Sequence, residues 1–427
     1  MSSSTGRPQV IICKWSEQLV RSMLDLTPHV FVVLDEFDTT FMNPDQELLA
    51  RAERVYRIKD FDSLEEMSAV ATDLVLRGAA IDHIVSFTEF SQFGAGYLGV
   101  LLGLADDCMR HVSFRDKRLM KERVRRAGVP TADWITLADP SRADDVAAVR
   151  DRLTFPIVVK PVAGSGTIGA LRVDKPEELE PVLAGIVPDP HLKSHQLTAE
   201  EFVPGREYHV DALWHDGRPL YLLVSTYYRP RLALLDPEAV PDPDGTPEDG
   251  SYLITEDDAP ELYRRVTELH LEVNSALGIT HGATHLEVFE RPDGELVFSE
   301  IASRMAGGWI GAVISEYLGY EIHTAIARAT VTGRIPEPRP SKPYLGALHL
   351  RPTQAGRITA IPTVEEMRAV DGVLRAQRLR GVGDSVERTN PSEWCAFVVL
   401  GADSREEYEA LARRVAGELR TEVDPGA

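Results

Sequence analysis

The first hundred residues alternate between strand signals and helix signals, and this alternation constrains the fold more than any other feature. Apolar, strand-like runs occupy residues 9–15, 29–37, 54–61 and 83–90, and helical segments follow at 16–26, 63–78 and 92–104. Strands that alternate with helices form right-handed βαβ units on a parallel sheet. We therefore predict an N-terminal α/β domain over residues 1–112. Ligands of such sheets lie at the carboxyl ends of the strands, so Glu36, Asp38 and Glu89 are either substrate contacts or caps and loop residues.

Composition excludes several functional classes. The chain has 427 residues, 43% of them hydrophobic, and a formal net charge of -21, which argues against a nucleic-acid-binding surface. We find no signal peptide and no apolar run near the ~20 residues that a membrane helix needs. Cys13, Cys108 and Cys395 lie far apart and form no metal-type pair, so we expect reduced, buried thiols and a cytoplasmic protein.

The rest of the chain divides at a proline-rich linker, residues 334–344. We predict one domain over 113–335, with lobes at about 113–199 and 200–335, and a small C-terminal domain over 336–427. A helix near residues 113–128 begins the middle domain, and most of its charges are expected to form a solvated face: Arg118, Lys121, Arg123 and Arg126. Residues 236–260 are rich in Pro, Asp and Glu and predict a long acidic loop.

The segment from His285 to Gly308 carries the strongest chemical signal. Two alternating apolar runs flank the turn residues 291–294, which predicts a β-hairpin that sets Glu287 opposite Glu300. Two facing carboxylates repel unless a cation sits between them, and Mg²⁺ held by carboxylates usually completes its shell with nucleotide phosphates. Arg304 could add a forked donor for a phosphoryl group. A surface hairpin with solvated acids fits the same pattern.

A glycine-rich loop, residues 164–169, follows an apolar strand that ends in Lys160. The loop fits a dinucleotide fingerprint, but that motif requires a helix after the glycines, and here a strand-like segment follows. We therefore predict a hairpin tip whose amides could cover phosphates. An anion would explain a lysine on a buried strand, although an edge-strand lysine that points to water explains it too.

Residues 199–211 form a third element, a short strand, a Pro204-Gly205 turn and a second strand. The extended backbone could match the donor and acceptor on an adenine edge, and Glu207 could accept both ribose hydroxyls. An ordinary hairpin is the alternative.

Five motifs occur in one order along the chain: Asp116-Lys117, Val158-Val159-Lys160-Pro161, the glycine loop, Glu200 to Asp211, and the hairpin of Glu287, Glu300 and Arg304. Together they resemble the ATP-grasp superfamily of ligases. The resemblance covers roughly residues 10–427. It implies an α/β protein: an N-terminal parallel-sheet domain, an ATP-grasp domain of two α+β lobes and a small C-terminal α+β domain.

The resemblance implies a role for each matching residue. Lys117 and Lys160 would hold ATP phosphates under a loop formed by Gly164, Ser165, Gly166 and Gly169. Glu200, Glu201 and Val203 would hold adenine, and Glu207 the ribose. Glu287 and Glu300 would bind Mg²⁺, with Mn²⁺ as a substitute, and Arg304 together with Lys160 would act on the transferred phosphoryl group. Many members have Asn two residues after the second acid; here Ala302 stands there, which leaves one or two ions open.

The variant EIASR followed by glycines is similar to the branch of L-amino-acid (dipeptide) ligases, which implies that His285, Gly307 and Gly308 lie on the substrate side. The implied reaction activates a small carboxylate as an acyl phosphate and joins it to an amine, giving an amide, ADP and phosphate. Two alternatives stay open, a carboxylase or acid–thiol ligase and a non-catalytic ATP-binding protein. Carboxylate and amine substrates are the expected partners, with no nucleic acid or membrane, and a homodimer fits the family.

Overall fold

The N-terminal part of the chain forms a parallel sheet, as predicted. The computed structural model describes residues 6–104, 113–164, 166–186, 194–235, 245–388 and 392–426. Its first elements are β1 (Val10–Cys13), α1 (Glu17–Leu24), β2 (Val30–Leu34), α2 (Glu36–Phe41), α3 (Gln46–Leu49), β3 (Arg54–Arg57), α4 (Leu64–Leu76), β4 (His83–Ser86) and α5 (Gln92–Leu101). The strand order is β3-β2-β1-β4, with every pair parallel. Asp38 belongs to the capping box of α2, so it has the capping role that the sequence left open.

A second, smaller antiparallel sheet follows. Its elements are α6 (Lys117–Arg126), β5 (Trp134–Leu137), α7 (Ala143–Arg152), β6 (Ile157–Pro161), β7 (Leu171–Val173), α8 (Leu179–Ala184) and β8 (Leu197–Glu201). The order is β5-β8-β6-β7, and α7 and α8 pack their apolar residues onto one face. Because β6 and β7 pair antiparallel, the glycine loop between them lies at a hairpin tip, as the sequence predicts.

The largest sheet has eight strands and contains both carboxylates of the 285–308 segment. Its strand order is β13-β12-β9-β10-β11-β14-β18-β16. The strands are β9 (Arg206–His215), β10 (Arg218–Tyr227), β11 (Gly250–Leu253), β12 (Gly282–Glu290), β13 (Leu296–Ala302), β14 (Tyr344–Leu350), β16 (Val373–Arg378) and β18 (Ala396–Ala402). Strands from both sides of the linker therefore share one sheet, and the boundary near residue 336 stays a prediction.

Helices and a small sheet complete the fold. The helices are α9 (Pro260–Leu277), α10 (Ile310–Leu318), α11 (Ile322–Thr332), α12 (Val364–Ala369) and α13 (Arg405–Glu418), and β15 (Gly356–Ala360), β17 (Ser385–Val386) and β19 (Glu422–Asp424) form a three-stranded sheet. One apolar core joins β1 and α1 to α10 and α11, so the N-terminal sheet packs directly on the large sheet's helices. A second core lies between the large sheet and α9.

One sequence expectation changes here. The acidic segment 236–260 was expected to be all loop, but Gly250–Leu253 form β11, because this short stretch finds partners in β10 and β14; residues 236–244 lie outside the described part. Cys13 and Cys395 are buried and free, as expected, and burial together with Asp38 raises the pKa of Cys13 to about 12. Cys108 lies outside the described residues. No helix in the described ranges is long and apolar enough to cross a membrane.

Candidate functional site

The β12–β13 hairpin places the two predicted carboxylates opposite each other. Glu287 pairs with Glu300 in the antiparallel register, and a β-bulge follows directly after Glu287. The side chain of Glu287 is 21% exposed and that of Glu300 is 27% exposed. Tyr227 donates its hydroxyl to Glu287 at 3.2 Å, and the Lys117 ammonium lies 2.7 Å from Glu300. The hairpin therefore concentrates negative charge at one point and supplies cations beside it.

The pKa of Glu300 reflects this surrounding charge. Burial opposes its ionisation, but Lys117 and Lys160 outweigh burial and lower the pKa to about 2. Glu287 also has a lowered pKa, because His285 and Lys117 offset both burial and the repulsion from Glu300. Both groups are therefore carboxylates at neutral pH, and hard oxygen donors of this kind suit Mg²⁺.

A single cavity, here called the central cavity, brings most of the predicted site residues together. The predicted residues that line it are Lys117, Lys160, Gly164, Gly166, Glu200, Glu201, Val203, Glu207, Glu287 and Glu300. Its apolar wall includes Val158, Phe289 and Phe298. Gly169 lies in the same hairpin tip with a φ of +72°, and Ser165 lies outside the described residues. The loop is tied to α6, because Lys117 donates to the Gly164 carbonyl at 3.0 Å.

Lys121 is a member of this site that the sequence interpretation missed. It was assigned to the solvated face of α6, but its side chain is only 2% exposed, and its ammonium lies 3.3 Å from Glu200. Lys160 approaches the same Glu200 oxygen at 3.0 Å, so one carboxylate lies between two lysines. The two cations outweigh burial and lower the pKa of Glu200. The assignment was wrong because Lys121 occupies the buried stripe of the helix.

A signal for this position existed in the sequence. Residues three and four apart share one helix face, and Lys117, Met120, Lys121 and Val124 are the buried residues of α6. Lys121 therefore sits between two apolar neighbours, one turn after a predicted phosphate lysine. A charged residue in an apolar stripe indicates a buried partner.

Glu207 lies at the edge of the central cavity and is held by the segment after β10. Its carboxylate accepts a hydrogen bond from the Arg231 amide at 2.9 Å. Burial and the charge of Glu287 raise its pKa to about 8. The Arg231 guanidinium lies 2.6 Å from Asp249, whose side chain is fully buried. Arg231 thus forms part of the cavity wall, and its ion pair with Asp249 holds the guanidinium in place.

A row of ionisable groups runs from Glu287 along β12 and β9. His285 Nδ1 lies 3.0 Å from one Asp211 oxygen, and His209 Nδ1 lies 2.7 Å from the other. His285 Nε2 lies 3.5 Å from Glu287. Burial disfavours charge on His285, but Asp211 and Glu287 prevail and raise its pKa to about 10. His285 is therefore a cation that contacts Glu287, and Asp211, which the sequence did not single out, holds it in place.

Arg304 is not among the described residues that line the central cavity. Its Nε donates to Glu89 at 2.6 Å, and Arg115 donates to the other Glu89 oxygen at 2.7 Å. Glu89, one of the predicted strand-end acids, therefore links the N-terminal domain to the segment after β13. Gly308 is nearby in sequence with a φ of +60°, and its carbonyl accepts from His349. Gly307 has open space around its Cα.

Comparison with known proteins shows that two parts of the chain match known domain families. Residues 153–313 match the ATP-grasp domain, and residues 348–424 match the L-amino acid ligase C-terminal domain 2. The chain is 28% identical over 351 residues to an L-arginine-specific L-amino acid ligase from Bacillus subtilis, covering 80% of each chain. It is 28% identical over 236 residues to a D-alanine–D-alanine ligase from Arthrobacter sp., covering 52% of this chain and 55% of that one.

Solved structures agree on the fold. An L-amino acid ligase from Bacillus licheniformis superimposes with a TM-score of 0.71 at 19% identity, covering 98% of this chain and 100% of the other. A phosphoribosylglycinamide synthetase from Anaerococcus prevotii gives 0.63 at 14% identity, covering 98% and 100%. Residues 153–313 therefore form an ATP-grasp domain, and the chain as a whole is similar to the L-amino-acid ligases.

Proposed function

We propose that this protein joins the carboxylate of an amino acid, or of a similar small acid, to an amine, with conversion of ATP to ADP and phosphate. One observation carries the proposal: Glu287 and Glu300 face each other across a hairpin, in a cavity that also contains Lys117 and Lys160. A pair of carboxylates beside two lysines suits a magnesium nucleotide, because the carboxylates can bind Mg²⁺ and the lysines can contact the phosphates. Since ATP is consumed, we place the reaction in the cytoplasm.

ATP would occupy the central cavity. Lys117 and Lys160 would contact its phosphates, and the loop of Gly164, Ser165, Gly166 and Gly169 would cover them. Glu200, Glu201 and Val203 would hold adenine, and Glu207 would accept from the ribose hydroxyls. One support for the adenine assignment is that Glu200 Oε1 is buried and has no hydrogen-bond partner among the described residues. A buried acceptor of this kind favours a ligand that brings a donor.

Mg²⁺ would be held by Glu287 and Glu300, and when bound it would neutralise charge on the phosphate oxygens. The Ala302 side chain offers no metal ligand, so we propose that Glu287 and Glu300 hold one ion, or two only if water completes their shells. Mn²⁺ would fit the same oxygen donors.

The chemistry has two steps. The substrate carboxylate attacks the γ-phosphorus and ADP leaves, giving an acyl phosphate; the amine then attacks the acyl carbon and phosphate leaves. The first step brings two anions together, so positioning and charge neutralisation by Lys160 and Arg304 would supply most of the rate. Arg304 would be aimed by Glu89, which fixes its Nε. His285, Gly307 and Gly308 would lie on the substrate side, where His285 adds a positive charge beside Glu287.

Release of phosphate from ATP tests the proposal, measured over pairs of amino acids and simple amines, with the product identified by mass. We expect release that requires both a carboxylate and an amine. Glu300→Gln should lower turnover at least about 100-fold, since metal-assisted charge stabilisation is worth several kcal/mol. Glu290→Gln, on the same hairpin and paired with Arg265 outside the cavity, is the matched control and should keep turnover. Equal activity of the two variants would refute the site.

A further inference from the structure

A second group of metal-type ligands lies at the opposite end of β9 and β12 from the central cavity. His215 ends β9, Asp216 and Gly217 form the turn to β10, and Thr280 and His281 precede β12. From Glu207 to His215 the strand advances eight residues, which is about 26 Å at the usual rise. The Gly217 amide donates to the Thr280 carbonyl at 2.9 Å, so the turn and the loop are fixed to each other.

Three donor atoms converge at this point. Asp216 Oδ1 lies 3.0 Å from His281 Nε2, and Asp216 Oδ2 lies 3.5 Å from His215 Nε2. The two imidazole rings are perpendicular, with centroids 4.9 Å apart. In a tetrahedral zinc site with bonds of about 2.1 Å, ligand atoms lie about 3.4 Å from each other. The observed separations bracket that value, so one ion could reach all three atoms after small rotations.

The surroundings orient both rings. Thr280 Oγ1 lies 2.9 Å from His281 Nδ1, and a proton on Nδ1 directed to this hydroxyl leaves the Nε2 lone pair facing Asp216. The His215 ring is seated against Gly333, where an added Cβ would lie 2.4 Å from its Nε2. Each imidazole thus contacts a group other than Asp216, which distinguishes the two rings from an isolated surface histidine, while the Asp216 side chain is 76% exposed.

We propose that His215, Asp216 and His281 bind a divalent transition-metal ion of the Zn²⁺ type, with water or a neighbouring group in the fourth position. Two imidazoles and one carboxylate favour zinc over Mg²⁺ or Ca²⁺, which prefer oxygen ligands. His83 from β4 lines the same cavity as His215 and His281 and is a candidate for that fourth position. Such an ion would connect the β9–β10 turn to the start of β12 and would not take part in the reaction.

Metal binding to the full-length chain without an affinity tag tests this proposal. After treatment with EDTA and its removal, the protein is titrated with Zn²⁺ against a chromophoric chelator, and with Co²⁺ to record visible d–d bands. We expect one zinc ion per chain, not displaced by Mg²⁺. Thr280→Val should weaken binding about 10–100-fold through the loss of ring orientation, and Asp216→Asn or His281→Gln by at least as much.

The control is His29→Gln. His29 is also exposed and lies 2.8 Å from a carboxylate, that of Glu53, but among the described residues no second imidazole joins that pair, so zinc affinity should not change. Each variant should melt at the wild-type temperature without metal, and zinc should raise the melting temperature of the wild type and of His29→Gln but not that of Asp216→Asn or His281→Gln. Zinc retained by an Asp216→Asn/His281→Gln double variant, or lost equally in His29→Gln, would overturn the proposal.

Discussion

Replacement of Lys121 by methionine tests whether Lys121 is buried, as in the structure, or solvated, as the sequence suggests. If Lys121 lay on a solvated helix face, the change would alter stability by less than about 0.5 kcal/mol. In the structure its ammonium donates to the Ser299 carbonyl at 2.8 Å and lies 3.3 Å from Glu200, with 2% of the side chain exposed. Removal of one partner of a buried ion pair costs about 3–5 kcal/mol, because the remaining charge stays buried.

Lys160 moderates this cost. It lies 3.0 Å from the same Glu200 oxygen and keeps part of the compensation, so we expect Lys121→Met to lower the free energy of unfolding by about 3 kcal/mol, the low end of that range. The measurement is urea-induced unfolding at pH 7. Arg126→Met is the matched control on the same helix, since this side chain is 77% exposed and forms a surface ion pair with Glu122; it should cost less than about 0.5 kcal/mol.

A double variant decides whether the cost arises from the pair. Lys121→Met combined with Glu200→Gln removes the buried charge that the single change exposes, so it should cost about 1–3 kcal/mol less than the sum of the two single changes. Additive costs, or a Lys121→Met variant as stable as Arg126→Met, would refute the argument. ATP affinity should fall in Lys121→Met as well, because Glu200 lines the central cavity.

Three further predictions concern other parts of the molecule. Burial lowers the pKa of His270 from 6.5 to about 3. As pH falls, the unfolded chain therefore binds a proton at this position before the folded chain does, and this should lower the free energy of unfolding by about 1.4 kcal/mol per pH unit below 6.5. His270→Gln should therefore flatten the dependence of urea stability on pH between 6.5 and 5. Gly308→Ala should lower the melting temperature, because φ is +60° and the new Cβ lies 3.0 Å from the His349 ring, whereas Gly307→Ala has room. Glu207→Ala, which removes the acceptor in either protonation state, should raise the KM for ATP about 10–100-fold and reduce discrimination against 2′-deoxy-ATP.

Local pattern was enough to predict the carboxylate hairpin. Strand side chains alternate with a period of two, so a register slip of one residue would turn every apolar residue of β12 to the wrong face. The short turn between Arg291 and Glu295 then leaves little freedom in pairing, and Glu287 meets Glu300 as predicted. The parallel N-terminal sheet was predictable for the same reason, since each strand–helix–strand unit carries its own signal.

Long-range pairing was not predictable from local pattern. The strand Gly250–Leu253 lies in a segment rich in Pro and Asp, and only its partners β10 and β14 make it a strand. Lys121 was missed for a related reason: the apolar stripe of its helix indicates burial, but its partner Glu200 is 79 residues away, so nothing near it in sequence shows which group compensates its charge. Composition alone favoured a solvated lysine, and tertiary contact reversed this.

The extension of the large sheet into the C-terminal strands connects the glycine segment after Arg304 to the wall of the central cavity. Asp249, just before β11, lies 2.6 Å from Arg231 on the wall of the central cavity and accepts from Trp394 at 2.9 Å. His349 on β14 lies 3.2 Å from the same carboxylate and contacts the Gly308 carbonyl through its other nitrogen. One buried acid thus positions both the arginine beside Glu207 and the glycine segment after Arg304. The C-terminal strands therefore shape the site itself, because a shift in them would move Arg231 and Gly308 together.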